Sequence, residues 1–402
     1  MKTKRGDQQI KIPEKGLPKD TVLKQLETKL QSDLTYSCGK ILGSMCTQPS
    51  SFAKQVYLQY LETNLGDPGL FPATAELERE VIGMLGHMLS NDTASGQIVS
   101  GGTEANILAM WAARNLAKNK RKEVIVPVSA HYSFDKAADL LNLKLIKVKV
   151  NSNYQMDVAE VKKAITPNTV ALVGIAGTTG LGVVDPIPEL SEIALEQNIY
   201  LHVDAAFGGF VLPFLKNLGY NVTEFDFRLS GVCSITIDPH KMGLAPIPAG
   251  GILFRDKSLK KAVTVNVPYL AGGHTEQSTV IGTRLGASSI AVWALLMNLG
   301  TQGYTQVVRC CLNLTKELVN GINQIEGVDV VTPPVINVVG IKSDAMDIRV
   351  IAQKLREHGW AISLFSNYLR LVVMPHVTSS HIECFLKDLK QIMENGDDLN
   401  GI

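Results

Sequence analysis

The chain has 402 residues, 45% of them hydrophobic, which is enough for one large α/β domain with a sizeable core plus a smaller domain. A formal net charge of +1 and a pI near 7.6 leave no basic footprint for nucleic acid or for an acidic membrane surface, so neither is an expected partner. The six cysteines show no C-x-x-C or zinc spacing and the eight histidines no H-E-x-x-H, so the expectation is reduced thiols, a cytoplasmic location and no metal site.

Met1 to Asp20 is polar, carries two prolines and lacks the apolar run of a signal peptide, so it reads as a loose arm. From Thr21 to Gln31 a helical pattern puts Val22, Leu23, Leu26 and Leu30 on one face, suited to wrapping a partner. Residues 1–64 are taken as an amino-terminal arm with helices, and 65–300 as the large domain.

Ser100-Gly101-Gly102-Thr103-Glu104-Ala105-Asn106 leads into an alanine-rich helical stretch ending near Arg114. Glycines entering a helix leave backbone N–H groups free, and the helix dipole adds partial positive charge; together they suit a phosphate. Thr103 either adds a hydroxyl there or caps the helix. No G-x-x-x-x-G-K-[ST] is present, which argues against a nucleotide hydrolase.

Val170 to Ile175 reads as a buried strand opening into Gly177, Thr178, Thr179, Gly180 and Gly182, whose order is not that of a dinucleotide fingerprint. Ile199 to Val203 is a second buried strand, ending in Asp204 and followed by the small residues Ala205, Ala206, Gly208 and Gly209. A carboxylate there needs a partner or a loop to cap. Ser234 to Asp238 is a third strand, closed by Pro239-His240-Lys241, which sets an amine at the sheet's carboxyl edge. In a partly dry pocket such an amine can condense with an aldehyde.

Val265 to Arg284 is polar around Ala271-Gly272-Gly273-His274, as loops that close over active sites often are. Ser288 to Leu299 is the most apolar helical stretch, yet it is too short to cross a bilayer. After Gly300, amphipathic helices such as Val307 to Ile325 alternate with short strands such as Val335 to Ile341, marking 301–402 as a small carboxyl-terminal α+β domain. Alternation in Leu369-Arg370-Leu371-Val372-Val373 sets Arg370 opposite an apolar face, as a surface charge or as a carboxylate-binding group.

Gly-Gly-Thr-Glu-Ala-Asn, Ala130-His131-Tyr132-Ser133-Phe134, Gly-Thr-Thr, His-Val-Asp-Ala-Ala-Phe-Gly-Gly and Ile-Asp-Pro-His-Lys-Met-Gly occur in the order found in pyridoxal-phosphate-dependent group II amino-acid decarboxylases. The chain resembles most the archaeal tyrosine/aspartate decarboxylases, and Leu61 to Phe71 and Leu369 to His376 extend the likeness over nearly its whole length. The resemblance implies the fold of aspartate aminotransferase (fold type I), with a mostly parallel central sheet, and pyridoxal 5'-phosphate as cofactor.

Under that resemblance Lys241 carries the cofactor as a Schiff base, Asp204 binds its ring nitrogen, His131 stacks on its face, and Ala206 and Thr178 lie against the ring. Gly102, Thr103 and His240 surround the phosphate, while Gly282 and Thr283 reach that of a neighbouring subunit, making the active site a property of a homodimer. Arg370 orients the substrate α-carboxylate, Asp67 and Phe71 line the substrate mouth, and Tyr269 protonates the product carbon, with His131 or His274 as alternatives. The implied reaction releases carbon dioxide from L-tyrosine, L-aspartate or L-glutamate. Two rivals stand beside it: another carbon–carbon lyase of the same fold, like sphingosine-phosphate lyase, and a non-enzymatic scaffold that keeps the fold.

Overall fold

The computed structural model describes residues 11–117 and 121–394, so the first ten residues of the expected arm and the last eight of the chain lie outside the described residues. Helix α1 (Lys19–Leu30) forms where the periodicity predicts it, but Val22, Leu23, Leu26 and Leu30 are all exposed and the helix buries nothing in this chain. Helices α2 (Ser51–Gln59) and α3 (Pro72–Met88) follow, with Ser50 capping α2 by accepting from the Ala53 N–H.

The chain then alternates strands and helices: β1 (Ser95–Val99), α4 (Gly102–Leu116), β2 (Glu123–Pro127), α5 (Ser133–Leu141), β3 (Lys144–Val148), α6 (Val158–Ala164) and β4 (Thr169–Ile175). Next come α7 (Ile187–Gln197), β5 (Tyr200–Asp204), α8 (Leu212–Asn217), β6 (Val232–Ile237) and β7 (Gly250–Phe254). These strands make one seven-stranded sheet in the order β1-β7-β6-β5-β4-β2-β3, in which only β7 runs against the rest. Both faces are covered, which is why β4 and β5 read as unbroken apolar runs. Val124 and Val126 pack towards α4 and α5, and Ile125 towards the face that holds α3, α7 and α8.

Beyond α9 (Lys257–Lys261), the stretch expected to be a mobile loop is a hairpin: β8 (Val265–Val267) pairs antiparallel with β9 (Thr275–Gln277). Helix α10 (Gly286–Ile322) consists of two helices that meet at a kink, where Gly300 takes the non-helical φ 54°, ψ −170°, the boundary that the sequence indicates. It leads into β10 (Asp329–Val330), β11 (Val338–Lys342), α11 (Ile348–Glu357), β12 (Ser363–Leu364), β13 (Leu369–Val372) and α12 (Ser379–Glu394). The four strands form a second, antiparallel sheet in the order β10-β11-β13-β12.

That sheet has its own core, where Trp360 meets Phe385 edge-on at 5.1 Å. Leu42, from the segment read as arm, is fully buried in it. Its N–H donates to Ala361 O at 3.0 Å and its carbonyl accepts from the Val372 N–H at 2.7 Å. Burying one leucine stabilises by roughly 2 kcal/mol, so this short stretch is bound to the carboxyl-terminal sheet although it lies far away in sequence. No helix among the described residues is long and apolar enough to cross a membrane.

Candidate active site

Strands β1, β2, β4, β5 and β6 run the same way and end at one edge of the large sheet, the edge where open α/β sheets bind ligands. The loops there enclose a cavity of roughly 280 Å³ lined by Gly102, Thr103, His131, Asp204, Ala206 and Lys241. A second cavity, roughly 760 Å³, shares His131 and Lys241 and extends to Thr178, Tyr154, Tyr368 and Arg370.

At one end α4 begins directly after β1. Glu104 accepts from the Ser100 N–H (2.8 Å) and hydroxyl (2.7 Å), fixing the turn that aims the helix N-terminus into the cavity. Gly102 has to be glycine: a Cβ there would lie 2.8 Å from Asp238 Oδ2. His240 faces the same turn, with Nδ1 accepting from the Ala249 N–H at 3.1 Å, so its proton sits on Nε2. Burial holds His240 below the usual imidazole range, against the pull of Asp238.

Asp204, at the end of β5, has both oxygens occupied: Oδ1 accepts from the Ala206 N–H (3.0 Å) and Oδ2 from Asn106 Nδ2 (2.9 Å). Asn106, on α4, also donates to Ser133 Oγ (2.9 Å), and its Oδ1 accepts from Thr236 Oγ1 (2.7 Å). Since Oδ1 can only accept, His202 Nε2, 3.0 Å away, carries the proton, and His202 Nδ1 takes that of Ser234 Oγ at 2.8 Å. Complete burial lowers His202 to about 4, so it is neutral at physiological pH.

Lys241 lies on the turn after β6, with Nζ 3.0 Å from Asp238 Oδ2. Burial is the largest single influence and disfavours its charge, but Asp238, Asp204 and Cys46 together outweigh it and the net shift is upward. His131 Nδ1 accepts from the Ser133 N–H at 3.3 Å, and burial lowers its pKa despite Asp204.

Arg370 faces the second cavity because Leu369, Leu371 and Val373 point into the small core on the other side of β13. It is 8% exposed and has no ion pair among the described residues. Nη1 donates to Thr179 O (2.9 Å) and Nη2 to Gly43 O (2.5 Å) and Ser363 Oγ (2.8 Å), while Nε is buried without a partner. These contacts use three of the five N–H groups, fix a permanent cation and leave two N–H groups without an acceptor among the described residues.

Six expected site residues, Tyr269, His274, Gly282, Thr283, Asp67 and Phe71, line neither cavity within a single chain. Tyr269 is 82% exposed and Thr283 is exposed, both in the segment around the β8–β9 hairpin. Asp67 is buried but bonded to the Gly272 N–H (3.2 Å from each oxygen), and Phe71 precedes α3 away from Lys241. The reason is local: Gly69 and Gly272 pack backbone to backbone and tie the 67–71 turn to the hairpin rather than to the sheet edge.

Sequence reading assigned no role to Asn106, Ser133, His202, Asp238, Tyr154 or Tyr368. The first four sit inside the quoted motifs, so the signal was present, but hydrogen bonding between two helices and two strands is not visible in one dimension. Tyr154 has φ 60°, strained for a non-glycine residue, in a turn that carried no motif.

A family model for the pyridoxal-dependent decarboxylase conserved domain matches residues 5–342. The chain belongs to the pyridoxal-dependent decarboxylase family. Its relatives in that family include a probable L-aspartate decarboxylase of Pyrococcus abyssi, 52% identical over 96% of this chain and 100% of the relative. A probable L-tyrosine/L-aspartate decarboxylase of Methanothermobacter thermautotrophicus is 51% identical over 89% of this chain and 99% of its own length. Among solved structures, the sphingosine-1-phosphate lyase of Burkholderia pseudomallei superposes with a TM-score of 0.89 at 29% identity, covering 96% of this chain and 92% of that one. Glutamate decarboxylase of Lactobacillus brevis gives 0.86 at 21% identity, covering 96% and 94%, and shows the fold alone: fold type I.

As a pyridoxal-dependent decarboxylase the chain is an enzyme whose cofactor is pyridoxal phosphate. The cavity's donor set suits that group: a helix N-terminus and a histidine N–H at one end for an anion, a fixed carboxylate on one wall, and a lysine amine. Among the described residues there is no cluster of three or more metal-ligating side chains.

Proposed function

We propose that this enzyme decarboxylates L-aspartate to β-alanine, with Lys241 as the residue that carries pyridoxal phosphate. The observation that carries amino-acid decarboxylation is Arg370, a buried cation with no carboxylate partner among the described residues, in the lining of a cavity that it shares with Lys241 and His131, and the likeness to probable L-aspartate decarboxylases favours aspartate. Gly102, Thr103 and His240 hold the phosphate, Asp204 the ring nitrogen, and Ala206 and Thr178 the ring plane, with His131 across its face. When bound, the cofactor supplies the electron sink for the cleaved bond.

The protein supplies position and protons. Arg370 turns the α-carboxylate so that the scissile bond stands across the ring, and Asn106 keeps Asp204 from rotating. His131, held on its backbone contact, is placed to move a proton at the substrate's α-carbon. A second chain contributes the rest: Tyr269 as proton donor, Thr283 at the phosphate, and Asp67 and Phe71 at the substrate mouth, all on the surface body formed by the hairpin and the 67–71 turn. The exposed apolar face of α1 gives that homodimer further surface to bury. The large sheet with its helices (65–300) and the small sheet (301–402) form two domains, preceded by the arm and helices of 1–64.

L-tyrosine is the second reading, favoured by the aromatic lining of the larger cavity: Tyr132, Tyr154, Phe365 and Tyr368. Incubating the protein and pyridoxal phosphate with L-aspartate, L-tyrosine and L-glutamate decides among them. β-Alanine is the expected product, tyramine supports the second reading, and formation of no amine from any of the three overturns both. Light scattering on the eluting protein tests the dimer.

A further inference from the structure

Asp238, at the end of β6, forms the only ion pair of Lys241 among the described residues. Its side chain is 2% exposed; Oδ2 lies 3.0 Å from Lys241 Nζ and 3.6 Å from His240 Nε2, and Oδ1 is buried with no hydrogen-bond partner. The backbone holds acid and amine on one turn: the Asp238 N–H donates to Ala206 O at 3.2 Å, and the Lys241 N–H to Asp238 O at 3.0 Å. The other ionisable groups facing Lys241 are Asp204, His131, His240 and Cys46. Burial favours the neutral forms of His131, His240 and Cys46, so the cation of Lys241 answers chiefly to the two aspartates. Asp204 is held by Asn106 and the Ala206 N–H and forms no ion pair with Lys241, which leaves Asp238 as the acid in direct contact.

We propose that Asp238 is the counter-ion that captures Lys241 as an ammonium whenever the lysine is displaced from the cofactor, and so drives exchange of the lysine for the substrate amine. The proposal rests on the reading of Lys241 as the cofactor-bearing lysine. An amino acid arrives as an ammonium ion. Its nitrogen gives up two protons and forms a double bond to the cofactor's aldehyde-derived carbon, while Lys241 Nζ loses its double bond to that carbon and takes up two protons, ending as the ammonium. Protons balance, and no oxidant or reductant is needed. Asp238 stabilises the side of the exchange on which Nζ is charged; without it the freed lysine is a neutral amine, free to attack the same carbon again.

The test is the pH dependence of cofactor uptake by full-length protein stripped with hydroxylamine, followed by the return of visible absorbance. Wild-type uptake should still be rising above about pH 8, because Lys241 must first lose its proton. Asp238→Asn should take up pyridoxal phosphate about tenfold faster or more near pH 7, the factor given by one pKa unit, with the two rates converging towards about pH 10. Asp238→Glu should restore the wild-type profile. Matching profiles for wild type and Asp238→Asn overturn the proposal. Should the Asn variant fail to fold, a wild-type plateau already reached below about pH 8 overturns it instead. Lys241→Ala separates the two readings. Unimpaired uptake in that variant removes the lysine's role and this proposal with it, whereas lost uptake there, with matching profiles for the other pair, removes only the role of Asp238.

Discussion

The two sides of the cavity at Lys241 are built on opposite terms. Around Asp204 the polar side chains close on one another: Asn106, Ser133, His202, Ser234 and Thr236 bind across α4, β5 and β6, and both Asp204 oxygens are occupied. On the side of Arg370 and Asp238, two residues that line the cavities each keep a buried polar atom, Nε and Oδ1, without a partner among the described residues. A saturated network fixes a group in place, because any rotation exposes an unmet donor or acceptor in a dry interior. An unsaturated one is tolerable only where something with matching chemistry arrives, so the first side anchors and the second exchanges.

Lys241→Ala should break the exchanging side most severely, with loss of both the visible absorbance of the loaded protein and all amine formation. Arg370→Ala should keep the absorbance but lower kcat/KM on the order of 10²-fold, since truncating one partner of a buried charge pair costs about 3 kcal/mol. Full turnover in that variant would remove the carboxylate-orienting role. On the anchoring side, Asn106→Ala should destabilise the fold by about 2–3 kcal/mol, because it takes a donor from Asp204 and leaves His202 Nε2–H only its 3.2 Å contact with Thr236 Oγ1. A drop in unfolding temperature reads this, and an unchanged one shows that the network is not under the load described.

The anchoring side also predicts a pH response. His202 is lowered from 6.5 to about 4, so between those values the unfolded chain binds a proton that the folded one refuses. Its contribution to stability is therefore level above about 6.5 and falls as the pH drops towards about 4, a loss of roughly 3 kcal/mol in all. Asp185, raised by burial from 3.8 to about 6, works in the opposite sense, since its folded form holds the proton more tightly over that window. His202→Gln, compared with wild type by urea unfolding at a series of pH values, should gain relative stability steadily on acidification. A difference that does not vary with pH would show that His202 is not held neutral. The smallest effect is expected at the hairpin. Gly272→Ala puts a Cβ about 2.5 Å from Asp67 Oδ1, and should slow turnover several-fold while leaving cofactor absorbance unchanged.

Much of this was legible in one dimension, for reasons that differ by element. β4 and β5 announce themselves because strands covered on both faces must be apolar throughout, and α4 because glycines precede an alanine-rich run. The orientation of Arg370 follows from simple alternation, with Leu369, Leu371 and Val373 on the opposite face. In the 265–284 stretch the irregular link at Ala271 to His274 was legible from its glycines, but β8 and β9, three residues each on either side of it, were not. Gly300 was legible too: its non-helical φ and ψ end one helix and begin another, where the apolar stretch gives way to an amphipathic one.

Sequence by itself determined which residue types stand at the carboxyl ends of the strands, because strand period and turn chemistry are local and each motif needs only its neighbours. Tertiary structure alone decided which of those residues meet. It placed Asp238 rather than Asp204 against the Lys241 amine, bound Asn106 to both Asp204 and His202, and turned Tyr269, Thr283, Asp67 and Phe71 away from the site of their own chain. Contacts of that kind depend on the order in which strands lie side by side and on which polar atoms must find partners once water is excluded, and neither is set by any single segment.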